Sequence, residues 1–599
     1  MSTTTNRRAA QRCRWPVLWS LCLAGAFVAA EASAAITVGP DADPACQFHD
    51  VTSAVIAADQ SPGVDLVQIS AGTYTGVSTI TVASGDDLIV EGGYADCSAG
   101  ISTGTSTLDA AGAVIHGSLF QHAGTGRLVL RHLVLQNGDA SAGGGVYSDG
   151  IGELVISDVM FYSNYADYGG GLYVIGAPSP HKQVTLIGAK FNSNVARGDG
   201  GGLYAMFADI TIDSARESYF LGNLANGTVG NGDGGGAYLM NSNLHAHTHG
   251  VPGFPFIGSN LANRYGGGIY FGANAQQNYE LYLENDRADQ PLVIGDNAAP
   301  AGGGVYLYNF STTSQIYTFV HFRNTIWRDN TANSGAVLYA DTFGSSAFAV
   351  GTIVHFEQTR PGDATPPCSP GLRCNVIEGN LANSGYIVSA SAGGSSGYTM
   401  IDFNRGSMLG NDTVSGGGGL IFVGNGPLTV TSSLFAQNSL SGDLMSVVGG
   451  NLRFASSTVA HNIFGADQLF TVALVPSTLE ILHSLLAQPN DPVNGYVVGA
   501  GIPVTVRDIG TENVTISGTN VQNLADPFVD AANGDFHIRL TSSAVDRWGD
   551  SGDPSDPPPT IDLDGATRPY VFNSPGEPYD FGAYEAGAVV DAIFINGFD

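Results

Sequence analysis

Three glycines, an aliphatic residue and a tyrosine recur as one phrase at Gly143–Tyr147, Gly169–Tyr173, Gly200–Tyr204, Gly234–Tyr238, Gly266–Tyr270 and Gly302–Tyr306. Ahead of most of them stands an aromatic or apolar residue followed by asparagine: Phe161…Asn164, Phe191…Asn194, Phe220…Asn223, Phe256…Asn260, Ile294…Asn297 and Trp327…Asn330. Self-similarity at a period of roughly 20–50 residues means stacked units, and it outranks any reading made segment by segment. The asparagines recur at that period, which suits one coil of a β-solenoid.

Each part of the unit has a physical task. Glycine supplies the φ > 0 conformations that tight coil turns need. Strand alternation points the aliphatic residue inward and the tyrosine outward. Phe or Trp stacked on its equivalents fills the core. Asn164, Asn194, Asn223, Asn260, Asn297 and Asn330, at one turn of successive coils, form a ladder whose amides bond to each other and satisfy turn backbone. The expected fold is an all-β parallel β-helix, and the regular aromatic and β-branched residues argue against a flexible glycine-rich chain.

Composition narrows the partners. The formal net charge is −31, with only two lysines, Lys182 and Lys190. Such a surface argues against nucleic acid and anionic lipid, and it disfavours a polyanionic substrate unless calcium bridges the two. Arg7, Arg8, Arg12 and Arg14, the apolar stretch Trp15 to Ala30 and the small-x-small Ala32-Ser33-Ala34 read as a secretory signal removed after residue 34. No later segment is long enough to span a bilayer. Export permits disulfides. Cys46, Cys97, Cys368 and Cys374 then remain; their three connectivities stay open, and proximity favours pairing Cys46 with Cys97 and Cys368 with Cys374.

Taken in order, 1–34 is the signal and 35–142 an N-terminal cap with the first coils. The cap includes a short helix over 49–60 with Val51, Val55 and Ile56 as its apolar face. Residues 143–340 are the regular repeats. Residues 341–520 are degenerate coils, with Asn380, Asn411, Asn438 and Asn462 continuing the pattern and a proline-rich loop inserted over 359–374. Residues 521–588 are a C-terminal module expected to close the open last coil, and 589–599 a short tail.

The paired signatures F-x-x-N and G-G-[AVIL]-[YVIL] resemble the repeats of the polymorphic outer membrane proteins, and more broadly the chain resembles right-handed parallel β-helix proteins with a pectin-lyase-like fold. The series Asp526–Asp530, Asn533–Phe536, Ser542–Asp546, Asp562–Gly565 and Asp580–Glu585 is similar to the "choice-of-anchor" module that ends many secreted bacterial β-helix proteins. These resemblances imply a single-stranded right-handed β-helix, exported from a Gram-negative bacterium to the medium or its outer surface. They imply an adhesive or other binding role toward a glycan or cell-surface ligand, as a monomer. The family of polymorphic outer membrane proteins ends in a membrane β-barrel, and this chain has no such run of amphipathic strands.

Lyases and hydrolases of this fold imply the other class, a carbohydrate-active enzyme. Their patterns, acidic calcium ligands with a basic residue, or aspartates with Gly-His-Gly and Arg-x-Lys, are absent from the sequence. Asp86-Asp87 is the only paired carboxylate in the early coils and sits where a turn favours Asp. His245-Ala246-His247-Thr248-His249 places His245, His247 and His249 on one face of a strand, able to bind zinc, copper or nickel; their spacing of about 7 Å fits a single tetrahedral ion poorly. Arg197-Gly198-Asp199 lies inside a repeat turn that already explains its glycine. Asp562-Leu563-Asp564-Gly565 has the start of a calcium loop without the remaining ligands. No cofactor is expected beyond a structural calcium at such a turn.

Overall fold

The computed structural model describes residues 35–587 other than 41–42, 64, 112–116, 214–215, 248–253, 276, 286–289, 346, 358–374, 550–555, 557, 567 and 569–577. The strands from Ile36–Val38 to Thr519–Asn523 pair in parallel with their equivalents in adjoining coils, over two long sheets and a narrow third that runs in two sections, and Phe528–Asp530 pairs antiparallel with Asp535–Ile538. The expected parallel β-helix is therefore the fold of this chain.

A single coil explains the sequence phrase. Leu128–Gln136 bends at His132 (φ 50°), turns at Asn137 (φ 58°), continues as Asp139–Ala142, turns again at Gly143 (φ 59°) and runs on as Val146–Ser148. The residue just before each ladder asparagine is left-handed in every coil from Ser163 through Ser193, Gly222, Ser259, Asp296, Asp329, Gly379, Gly410 and Gln437 to His461. F-x-x-N thus decodes as an inward aromatic, an outward residue, a left-handed corner and a buried amide. The second glycine of the triplet answers a different need: a Cβ on Gly235 would lie 2.4 Å from the Gly267 carbonyl oxygen of the next coil. Any side chain there forces two coils apart.

Inside, Phe161, Phe191 and Phe220 stack at 4.7 and 4.6 Å, and truncating such a buried ring costs about 3–5 kcal/mol. The next rung corrects the sequence reading. Phe220 pairs in register with Ile257, not Phe256; Phe256 is buried beside the row, edge-on to Phe220 at 6.3 Å. The row continues through Ile294, Trp327, Ile377 and Met408.

The asparagine ladder forms as expected. Asn164 Nδ2 donates to Asn194 Oδ1, and the same bond links Asn194 to Asn223, Asn223 to Asn260, Asn260 to Asn297 and Asn297 to Asn330, each at 3.0 Å. It runs on through Asn380, Asn411, Asn438 and Asn462, where the Asn462 amide N–H donates to Gln488 Oε1. Outside the core, the repeat tyrosines make a second column. Tyr147, Tyr173, Tyr204, Tyr238, Tyr270, Tyr306 and Tyr339 stack with centroids 4.7 to 5.5 Å apart. They point outward, yet Tyr204, Tyr238, Tyr270 and Tyr306 are buried against one another and against Tyr168, Tyr265 and Met240.

At the N-terminal end, helix Val51–Asp59 is capped by the Asp50 carboxylate, which accepts from Ser53 N at 2.7 Å. It buries Val51, Ala54, Val55 and Ala58, whereas Ile56, expected on that face, is 39% exposed. Cys46 and Cys97 form the expected disulfide; Cys368 and Cys374, with the 359–374 loop, lie outside the described residues. The C-terminal module packs on the last coils. Phe528, Phe536, Trp548, Phe581 and Tyr584 bury together with Leu434, Ala436, Ala460, Leu485 and Ala487 of the coils, so the described part of the module packs along their flank. Those strands carry apolar residues on their outer face, and covering that patch removes it from water.

Candidate functional site

In the long sheet, strands Ile316–Arg323, Val350–Phe356 and Gly397–Asn404 stack on one another, preceded by Asn243–His247 and Tyr279–Glu284. Alternation fixes which side chains leave the core: Val320, Phe322, Val354, Phe356, Ile401 and Phe403 are buried, and the residues between them face out. Because the strands pair in register, outward residues line up in rows across the coils.

One row is polar. His245 lies opposite Tyr282, Tyr282 opposite His321, His321 opposite His355 and His355 opposite Asp402. The His245 and Tyr282 rings stack at 4.8 Å, Tyr282 meets His321 edge-to-face at 4.5 Å, and His321 stacks on His355 at 4.9 Å. Each imidazole faces a carboxylate. His245 Nε2 is 3.0 Å from Glu280 Oε2, His321 Nδ1 is 3.1 Å from Glu357 Oε1 and His355 Nδ1 is 3.5 Å from Asp402 Oδ2. Asp402 raises the His355 pKa, Glu357 adds to it, and partial burial opposes both. Beside this row, His247 Nδ1 lies 3.6 Å from Glu284 Oε2.

The rows on the other side are apolar over three coils. Phe319, Ile353 and Met400 align on successive coils, as do Tyr317, Gly351 and Tyr398. The Tyr317 ring lies over Gly351, where a Cβ would come within 2.5 Å of it, and Tyr398 is 38% exposed. The face therefore joins a half-exposed aromatic and aliphatic strip to an edge of imidazoles and carboxylates. Such a surface can stack on an apolar ligand face, hydrogen-bond hydroxyls and exchange protons near neutral pH.

Of the residues singled out from the sequence, His245 and His247 do face outward, but toward separate carboxylates, and His249 lies outside the described residues. Among the described residues the only set of three donors within metal-binding reach is Asp43, Cys46 and Cys97, two of which are joined as the disulfide. In Asp562–Gly565 the Asp562 carboxylate accepts from the Ala566 and Glu585 amides, the arrangement of a plain turn. Asp199 of the Arg-Gly-Asp tripeptide is buried and accepts from Asp233 N. Asp87 accepts from Arg127 N.

Sequence reasoning missed Tyr282, His321, His355 and Asp402. Their trace is a repeated triplet, Val320-His321-Phe322, Val354-His355-Phe356 and Ile401-Asp402-Phe403, in which a polar residue stands between two inward apolar ones. Fold and site together define a parallel β-helix protein with an aromatic and histidine-lined outer face. No protein-family model matches the chain and no curated protein matches it.

Proposed function

We propose that this chain is an exported binding protein, secreted or held at the surface of a Gram-negative bacterium, whose aromatic and histidine-lined outer face takes an extracellular glycan without transforming it. The observation that carries this reading is the contiguous strip of Tyr317, Phe319, Ile353, Met400 and Tyr398 beside the His245–Asp402 row. Sugars present an apolar ring face edged by hydroxyls, and rigid aromatic side chains contact such a face at low entropic cost while imidazole and carboxylate hydrogen-bond the hydroxyls. The resemblance of the repeats to polymorphic outer membrane proteins and pectin-lyase-like β-helices, and of the C-terminal module to the choice-of-anchor type, supports export and a surface role. Binding of tag-free mature protein to immobilised neutral and acidic glycans tests it. Replacing Phe319 and Tyr398 together by alanine is expected to weaken capture at least about tenfold, equivalent to about 1.4 kcal/mol. Capture unchanged by that double substitution counts against this face.

A polysaccharide lyase or glycoside hydrolase is the second reading, favoured by the carboxylate-backed imidazoles of His321 and His355 next to Tyr282. A screen against pectins, alginate and other uronic polymers, with and without calcium, separates the two. New chain ends that vanish in His355→Ala would replace binding by catalysis.

A further inference from the structure

We propose that His321 and His355 form a binding site for one divalent transition-metal ion of the copper or nickel type, held by their Nε2 atoms and completed by water. Three observations converge on this pair. First, both rings turn Nδ1 toward a carboxylate, His321 at hydrogen-bond distance from Glu357, 3.1 Å, and His355 at ion-pair distance from Asp402, 3.5 Å. That assigns the proton to Nδ1 and leaves the Nε2 lone pair for an ion; a carboxylate behind a ligating imidazole is the usual way a site fixes the tautomer and strengthens the ligand. Second, His355 Nδ1 is shut off from solvent while its side chain is 22% exposed, so the exposed part of the ring is the edge away from Asp402. Third, the rings sit on adjacent rungs, 4.9 Å apart and within 22° of parallel. Binding one ion at about 2 Å from each Nε2 requires the two rings to tilt toward each other. The packing of Phe322 against Phe356 at 5.0 Å holds the two strands beneath them.

Charge and ligand type select the ion. Glu280, Glu284, Glu357 and Asp402 surround the row, and Arg323 pairs in register with Glu284 in the row beside it. Two imidazoles with water suit copper and nickel, which bind nitrogen sites more tightly than the earlier divalent metals. Tyr282, edge-on to His321, walls one side. His245 and His247 are a poorer pair. They stand on one strand, and His245 gives Nε2, not Nδ1, to its carboxylate.

The test is calorimetric titration of tag-free, full-length mature protein with Cu²⁺ and with Ni²⁺, alongside electron paramagnetic resonance of the copper form. One saturable equivalent with a two-nitrogen signature is expected. His321→Ala and His355→Ala should each weaken it at least about tenfold, and Glu357→Gln by about 10–100-fold as an outer-shell change. The His245→Ala/His247→Ala double variant should bind as the parent does. Thermal melts keep loss of fold apart from loss of ligand, since these side chains stand outside the core. Absence of saturable uptake overturns the assignment, as does uptake that survives both single substitutions or disappears only in the double variant.

Discussion

Replacing Asn297 by alanine removes one rung from the middle of the polar ladder, and the structure gives the size of the effect. Asn297 is fully buried. Its Nδ2 donates to Ile257 O and Asn330 Oδ1, and its Oδ1 accepts from Asn260 N and Asn260 Nδ2. Two of the partners keep other bonds: Asn260 Nδ2 still reaches Phe220 O, and Asn330 Oδ1 still accepts from the residue 297 amide. The Asn260 N–H and the Ile257 carbonyl lose their side-chain partner in the interior. At about 1–3 kcal/mol for each buried group left unpaired, the change costs about 2–6 kcal/mol. Contacts in a solenoid run only to neighbouring coils, so the loss should be local. Hydrogen exchange read by mass spectrometry should show the coils around 254–311 exchanging faster by about thirtyfold or more, at 1.4 kcal/mol per factor of ten, with coils beyond 400 unchanged. Exchange indistinguishable from the parent would mean that water replaces the ladder at no cost. Failure of the whole chain to fold would mean that the load is not shared between coils.

Gly235→Ala and Gly410→Ala separate two reasons for glycine: the first drives a Cβ to 2.4 Å from the Gly267 carbonyl, while the second meets nothing within 4 Å and has φ +57°. Thermal melts should show a large loss for the first and a cost of about 1–2 kcal/mol for the second, the ordinary left-handed penalty. Replacing Cys46 and Cys97 by serine opens a link of sequence separation 51; urea unfolding should report a loss of about 4 kcal/mol from restored chain entropy. At the docked module, burial pulls the His483 pKa down, but Asp508 and Asp556 outweigh it and leave it raised. Burial likewise works against Asp556, but His483 and Arg453 hold it at about 2. His483 therefore contributes stability below its unfolded value of about 6.5 that fades as pH rises through the higher folded value. Asp556 contributes stability above about 3.9 that fades as pH falls toward its folded value. Protection of the 524–549 segment from protease should peak between those limits, and His483→Gln should flatten the alkaline side and move the acid side to higher pH, because His483 is the main group holding Asp556 low.

The corner of each coil was readable in the sequence because it repeats in kind: an inward aromatic, a left-handed residue and asparagine have the same neighbours at every level. One error came from trusting aromaticity over spacing, since Phe256 stands four residues before Asn260 and Ile257 stands three. The outer face was not readable in the same way. His321 and His355 become neighbours only through strand pairing, and the chain between equivalent strands varies too much for outward rows to be aligned by counting. Likewise the acidic C-terminal series suggested a closing module, but its place on the flank depends on Leu434, Ala460 and Leu485, which read as core strands until their outward orientation is known.

The ladder has a direction. From Asn164 to Asn330, each asparagine Nδ2 donates forward to the next asparagine's Oδ1 and back to a backbone carbonyl of the preceding coil, so a coil slipped by one residue would lose both partners. Successive rungs are separated by as few as 24 residues, between Asn438 and Asn462, and as many as 50, between Asn330 and Asn380. Alignment is fixed at this corner and along the paired strands, which leaves the connections between them free to lengthen. The fold counts turns and not residues, so new segments can be grafted on its sides without the stack losing its place.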